Sequence, residues 1–223
     1  MIDERFRLVA QSRTFQRLVN TFGLSQKRVL DIGCGFGEYL AHFGPGSMGL
    51  TTTPAEKEAA ATRGLSVTLG NAEEIHTLGL GAYDVIWANN LFEHLLSPHA
   101  FLMHLRAVGE KGTTLILGVP VLPRPKWLLR FLWFRGSLAS NHINFFTRDS
   151  LVLTVARAGW TLRTARPFIF KAAFLDALTY RVAPHIYVVA EFNNAFSYPD
   201  KKVKEWKDEP YYQELLNSTT HNG

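Results

Sequence analysis

A single cysteine, Cys34, stands among the 223 residues, so no disulfide can close within the chain and no cysteine-rich zinc site can be built. No apolar run approaches the roughly 18 residues that a bilayer-spanning helix needs. The opening MIDERFRLVAQSR carries charge where a signal peptide would carry its apolar centre. These absences together give the expectation of a cytoplasmic protein. Acidic residues are in deficit, 19 Asp and Glu against 24 Lys and Arg, for a formal charge of +5 and a pI near 9.4. The basic excess is spread over segments such as RPKWLLRFLWFR and DKKVKEWK and forms no continuous run. That argues against a nucleic-acid partner and leaves anionic small molecules or a membrane surface.

What is present is an ordinary globular composition, 47% hydrophobic and 19% charged, at a length suited to one domain. Apolar side chains at Phe6, Val9, Phe15, Leu18, Val19 and Phe22 recur at near-helical spacing and predict an amphipathic helix within residues 1–24 that packs on the core. The pattern then changes to short apolar, β-branched runs. RVLDIG, SMGLTTT, LSVTLGN, YDVIWAN, TTLILGVP, WTLRTARPFIF and HIYVVAEF read as strands. EYLAHF, PAEKEAAATRG, His99 to Val108, DSLVLTVARAGW and KAAFLDALTYRVA read as helices between them. Alternation of this kind implies a parallel sheet with helices on both faces. The rhythm breaks after Pro120, where residues 121–141 read as an insertion over the carboxyl edge of the sheet, and residues 196–223 read as a polar tail.

The most informative segment is Val29-Leu30-Asp31-Ile32-Gly33-Cys34-Gly35-Phe36-Gly37, a strand running into three alternating glycines. Such a turn lets a ligand approach bare backbone, and a following helix would offer free N–H groups. A dinucleotide fingerprint would need a glycine where Glu38 stands, and a P-loop would need Gly-Lys-Ser/Thr, which is missing. The D-x-G-x-G-x-G pattern instead resembles the class I S-adenosylmethionine-dependent methyltransferases, in their small-molecule branch. Asn71-Ala72-Glu73, the Tyr83 to His94 segment with its Glu93-His94 pair, and His142-Ile143-Asn144-Phe145-Phe146-Thr147 with Ala158-Gly159-Trp160 downstream are similar to further segments of that family in the same order.

The resemblance covers about residues 25–195 and implies a Rossmann-like α/β fold: a seven-stranded, mostly parallel sheet with an antiparallel last strand. It implies S-adenosylmethionine as cofactor and a small-molecule acceptor, small itself or lipid- or sugar-linked, methylated at oxygen. Asp31 would orient the glycine loop and the methionine moiety, and Gly33, Cys34, Gly35 and Gly37 would cradle the cofactor. Thr51 and Thr52 would stand at the ribose, Asn71 and Ala72 toward the adenine, and Asn89 at the end of the fourth strand. One departure is Thr51, since this family ordinarily ends its second strand in Asp or Glu; a hydroxyl makes a weaker bond than a carboxylate. The departure keeps open a binding or scaffold module that has lost catalysis.

Methyl transfer from a sulfonium asks the protein mainly to align the acceptor and exclude water, and a hydroxyl acceptor also benefits from a base near neutral pH. His142 and His94 fall in loops at the expected ligand edge and are the catalytic candidates, against a reading in which each only fixes its loop. No set of His, Asp and Glu shows metal-ligand spacing along the chain, so no metal is expected. Lys126 to Arg135 is too apolar for a solvated loop: a helix buried on its own domain, a lid over an apolar substrate, and a membrane or dimer contact are the three readings.

Overall fold

The computed structural model describes residues 2–210 and 212–213. Its centre is a seven-stranded sheet made of β1 (Val29–Ile32), β2 (Met48–Thr51), β3 (Val67–Leu69), β4 (Val85–Asn89), β5 (Thr114–Pro120), β6 (Trp160–Arg166) and β7 (His185–Phe192). The order across the sheet is β3-β2-β1-β4-β5-β7-β6. The first five strands in that order pair parallel, and β7 runs antiparallel to both neighbours. This is the expected arrangement, with the antiparallel strand last in sequence.

Strand residues alternate between two cores, as a pleated sheet covered on both sides requires. Leu30, Ile32, Ile86, Ala88, Leu115, Leu117, Ile186 and Val188 face one core, which α4 (Pro98–His104) and α5 (Arg148–Arg157) close with Phe101, Met103, Leu151 and Val155. Val29, Val85, Trp87, Ile116, Tyr187 and Val189 face the other, closed by Phe15, Leu18 and Val19 of α2 (Arg13–Phe22). The remaining helices are α1 (Ile2–Gln11), α3 (Pro54–Ala61), α6 (Ala173–Thr179) and α7 (Asp200–Glu205).

Three local expectations are corrected. The amphipathic stretch at the start is two helices, because Ser12 leaves helical geometry and its side chain accepts a hydrogen bond from the Phe15 N–H as the cap of α2. α2 is anchored in the core, whereas α1 has no fully buried residue and touches that core only through partly buried Val9. EYLAHF is not an α-helix. A tight turn leads into one 3-10 turn, Leu40–His42, and Gly44-Pro45-Gly46 follows directly and leaves no room to propagate. Residues 126–135 form no helix either: short 3-10 turns, Lys126–Arg130 and Leu132–Phe134, succeed one another behind Pro123 and Pro125. Of their large apolar residues only Leu128 is buried, while Leu132 is 83% and Trp133 78% exposed, so the reading of a buried helix falls.

The insertion is tied at its base. Val121 bridges Phe146, and Leu122 N–H donates to the Phe146 carbonyl at 2.8 Å, so the chain leaves and returns at one point. Within the stretch read as a tail, Phe196 and Tyr198 pack on the core and the Tyr198 hydroxyl meets His99 Nε2 at 2.5 Å. Tyr211 and residues 214–223 lie outside the described residues. Among the described residues no helix is long and apolar enough to cross a membrane.

Candidate active site

The glycine turn after β1 opens two adjoining clefts at the carboxyl edge of the sheet, where open α/β sheets bind ligands. The first, about 360 Å³, is lined by Gly33, Cys34, Gly35, Glu38, Tyr39, Asn89 and Asn90, with Arg5, Leu8 and Val9 of α1 as its outer wall. The second, about 340 Å³, shares Gly33, Gly35 and Arg5 and runs on past Thr51, Thr52, Thr53, Glu56, Gly70, Ala72 and Leu91. Gly33 and Gly35 have φ of +73° and +55°, a region side chains disfavour, and a β-carbon on Gly35 would stand 3.1 Å from Glu38 Oε2. The bare backbone is therefore part of the wall.

Of the residues expected at the cofactor, Gly33, Cys34, Gly35, Thr51, Thr52, Ala72 and Asn89 line these clefts. Asp31 lies just beneath them, 2% exposed, and its Oδ2 has no hydrogen-bond partner. Burial, and next the nearby Glu38 carboxylate, push its carboxyl up to about 8. Gly37 lines neither cleft; a β-carbon there would meet Leu65 Cδ1 at 2.5 Å, so packing accounts for the glycine. Asn71 lines neither as well. Its Oδ1 accepts from the Glu73 N–H at 3.0 Å and caps the turn that follows.

Two residues that the pattern along the chain did not single out belong to the site. Glu56, in the first turn of α3, accepts a hydrogen bond from the Thr51 hydroxyl at 2.5 Å and lines the second cleft. The carboxylate missing from the end of β2 is thus supplied five residues later; an acidic residue in the first turn after Pro54 was the available signal. Asn90 follows β4 with φ +53°, a strained value for a non-glycine. Its Oδ1 accepts from His185 Nε2 at 3.0 Å, and burial lowers the His185 imidazole to about 4, so that ring stays neutral.

Beyond Asn90 lies a third cleft of about 520 Å³, lined by Asn90, Glu93, His94, Pro120, Trp133, Gly136, Ala139, His142, Pro184 and His185. The two catalytic candidates meet here across 48 residues of sequence. Ile143 and Asn144 N–H groups donate to the Glu93 carbonyl at 3.1 and 3.0 Å, and Asn144 Nδ2 donates to the Leu95 carbonyl at 2.6 Å. These bonds clip the insertion's return to the turn after β4. His94 and His142 stack edge to face at 4.8 Å. The expectation that no His and acidic residues stand at ligand spacing is corrected by folding: single ligand atoms of Glu93, His94 and His142 all lie within 4.8 Å of one another. Glu93 is 1% exposed and burial raises its pKa.

A Rossmann-like sheet with a bare glycine loop, a carboxylate in the first helical turn after the second strand and an open cleft alongside is the architecture of an α/β domain that binds a nucleoside cofactor. The family described as Methyltransferase domain matches residues 2–165, and the chain belongs to it. It is 29% identical over 125 residues to the Oryza sativa subsp. japonica protein named "Probable tocopherol O-methyltransferase, chloroplastic", a match covering 51% of this chain and 34% of that one. The chain thus spans about a third of that relative's length. The fold is similar to a TehB-like SAM-dependent methyltransferase from Corynebacterium glutamicum, at TM-score 0.60, 16% identity, and 86% and 96% of the two chains. It is also similar to magnesium protoporphyrin IX methyltransferase from Synechocystis with bound SAH, at TM-score 0.59, 16% identity, and 86% and 88% coverage. The chain carries an S-adenosylmethionine-dependent methyltransferase domain. Its residues fit that cofactor: the orphaned Asp31 oxygen offers a carboxyl that a docked cation would ionise, Glu38 stands beside it already paired with Arg5, and Glu56 offers a carboxylate to paired hydroxyls.

Proposed function

We propose that the chain methylates a hydroxyl oxygen on an apolar, lipid-linked small molecule that is taken from a membrane surface. The observation that carries this reading is Asn90, which stands in the wall of both the cofactor cleft and the cleft holding Glu93, His94 and His142. An acceptor in the latter would present its oxygen at that shared wall. Asp31, Glu38, Glu56, Asn89 and the Gly33–Gly35 backbone hold the cofactor, which supplies an activated methyl on a sulfonium, already a good leaving group. What remains for the chain is to hold the acceptor oxygen in line, exclude water and draw off the hydroxyl proton. His142 and His94 act on that oxygen from the far end of the cleft, and neutral His185 fixes Asn90 by its Nε2–H bond.

The apolar walls, Pro120, Trp133, Ala139 and Pro184, favour a largely apolar acceptor. The partial likeness to a protein named as a tocopherol O-methyltransferase supports a hydroxylated acceptor of this kind. A membrane source is supported by the surface beside the cleft. Trp127, Phe131, Leu132 and Trp133 are exposed, and residues 111–148 contain Lys111, Arg124, Lys126, Arg130, Arg135 and Arg148 with no Asp or Glu. Arg124 and Arg148 are ion-paired with Asp149, but Lys126, Arg130 and Arg135 are interspersed among the exposed aromatic and leucine side chains, a combination that suits an anionic lipid interface. The inactive-module alternative rested on Thr51 and on the absence of an unambiguous base; Glu56 answers the first, and the transfer assay decides the second.

Incubation with methyl-labelled S-adenosylmethionine and a panel of hydroxylated amphiphiles in anionic vesicles tests the reading. Label should pass to an amphiphile's hydroxyl, and His142→Ala should slow this about 10²- to 10⁴-fold with S-adenosylhomocysteine binding retained. Binding of S-adenosylhomocysteine with no transfer to any hydroxylated acceptor would overturn it.

A further inference from the structure

We propose that Glu93, His94 and His142 form a binding site for one divalent transition-metal ion of the zinc type, facing the acceptor cleft. Its place in catalysis rests on the methyltransferase reading above; its existence does not.

The argument starts from hydrogen bonds on the far side of each ring. His94 Nδ1 lies 3.1 Å from the Asn141 carbonyl oxygen, and His142 Nδ1 lies 3.3 Å from the Ser137 carbonyl oxygen. A carbonyl only accepts, so both Nδ1 atoms carry a proton, and Nε2, on the other side of each ring, is the atom that can ligate a metal. A backbone carbonyl behind a ligating imidazole is the usual device for setting the tautomer at a metal centre. Both Nε2 atoms point at one carboxylate: His94 Nε2 is 3.9 Å and His142 Nε2 3.8 Å from the same oxygen, Glu93 Oε1.

That carboxylate is buried, and neither of its oxygens has a hydrogen-bond partner in another residue. Two Nε2 atoms converging on an unsolvated anion make an arrangement that electrostatics disfavours unless positive charge sits between them. Protons could supply it, but 3.8 and 3.9 Å lie beyond the roughly 3.5 Å reach of a hydrogen bond. An ion bound at about 2.0–2.2 Å from each ligand spaces neighbouring ligand atoms by roughly 3.4 Å in a tetrahedron, so the two Nε2–Oε1 separations close by about half an ångström each and the imidazole pair, within 4.8 Å, by at most about 1.4 Å.

Two imidazoles and one carboxylate suit zinc and its neighbours; magnesium and calcium prefer an all-oxygen shell. With three protein ligands the fourth position is open, as at catalytic rather than structural zinc sites, and it opens on the cleft of about 520 Å³. An acceptor hydroxyl taking that position would be acidified by the ion and lose its proton to solvent, with the two imidazoles then serving as ligands in place of the base role given above; its oxygen would bond the methyl carbon as the S–CH3 bond of the sulfonium breaks, and S-adenosylhomocysteine would leave. The ion is not consumed and changes no oxidation state.

The test is metal binding to the intact chain, read without turnover. Protein stripped with chelator is titrated with Co²⁺, and the visible absorption of a four-coordinate centre is followed, then displaced with Zn²⁺. One equivalent should bind, and affinity should fall at least a hundredfold in Glu93→Gln and in His142→Ala, with S-adenosylhomocysteine binding unchanged. His94→Ala, at a partly exposed position, serves the same purpose if a buried variant fails to fold. No saturable binding, or binding of equal strength in all three variants, would overturn the proposal. Loss of S-adenosylhomocysteine binding by the parent chain would defeat the methyltransferase reading while leaving the metal result interpretable.

Discussion

Replacing Asp31 by Asn should stabilise the cofactor-free protein and weaken the cofactor, two effects of opposite sign from one carboxyl group. Burial and then Glu38 lift this carboxyl to about 8 from an ordinary 3.8. At pH 7 the unfolded chain holds Asp31 ionised while the folded chain keeps it protonated. Folding therefore takes up a proton, and stability falls as pH rises from about 4 to about 8. The roughly three pH units between 3.8 and 7, at about 1.4 kcal/mol each, put this penalty on the order of 4 kcal/mol. An Asn side chain has nothing to ionise, but its amide inherits the partnerless place of Oδ2, which costs about 1–3 kcal/mol. The net expectation for Asp31→Asn is a gain of about 1–3 kcal/mol at pH 7, or several degrees in Tm for a chain of this size, turning into a loss of about 1–3 kcal/mol by pH 4. A cation docked in the cleft above draws the same carboxyl toward ionisation. The parent's affinity for S-adenosylhomocysteine should then climb between pH 6 and 8, and the variant should bind about tenfold more weakly at pH 8 with a flat pH profile. Melting curves at pH 4, 5, 7 and 8 and calorimetric titrations across that range measure both. A variant less stable than the parent at pH 8, or one binding as tightly, refutes the reasoning.

Other consequences are checked more briefly. Glu56→Gln should lower S-adenosylhomocysteine affinity about 10- to 100-fold by removing a charged acceptor, while Thr51→Val leaves the carboxylate in place and costs less; calorimetry ranks them. The paired change Trp133→Ser and Arg130→Glu should abolish co-sedimentation with anionic vesicles and leave the melting temperature within a degree or two, since both side chains are exposed; unchanged sedimentation excludes this surface as the lipid contact. Cys34 should resist thiol reagents in the native state, because burial and the adjacent Asp31 charge raise its thiol; rapid native labelling would contradict the buried placement. Gly35→Ala should reduce cofactor binding more than stability, as the added methyl group meets Glu38 and Arg5 at the cleft wall; equal losses in both would show a folding defect instead.

The chain's local chemistry determined the class of fold. Runs such as YDVIWAN and HIYVVAEF are short, nearly continuous apolar stretches, as strands covered on both faces must be, so the sheet, its covering helices and the glycine turn at Gly33 were legible from residue order. Local signals failed where tertiary packing competes with them. EYLAHF has helical composition, yet the Gly44-Pro45-Gly46 bend and the close passage of Gly44 against Lys27 hold it to a single turn. The apolar 126–135 stretch read as a burial signal because hydrophobicity records the wish to leave water, not which surface provides the exit.

Tertiary structure alone decided which side chains became neighbours. Glu56 stands five residues from Thr51, a local signal that gains meaning only once the cleft is formed, and Asn90 stands ninety-five from His185, a separation no pattern along the chain marks. The meeting of Glu93 and His94 with His142 depends on Ile143 and Asn144 donating to the Glu93 carbonyl, a pairing set by where the insertion returns to the sheet. Residue order carries periodicity because adjacent units share a backbone geometry; it carries no direct record of contacts closed by loops, whose cost depends on the path the whole chain takes.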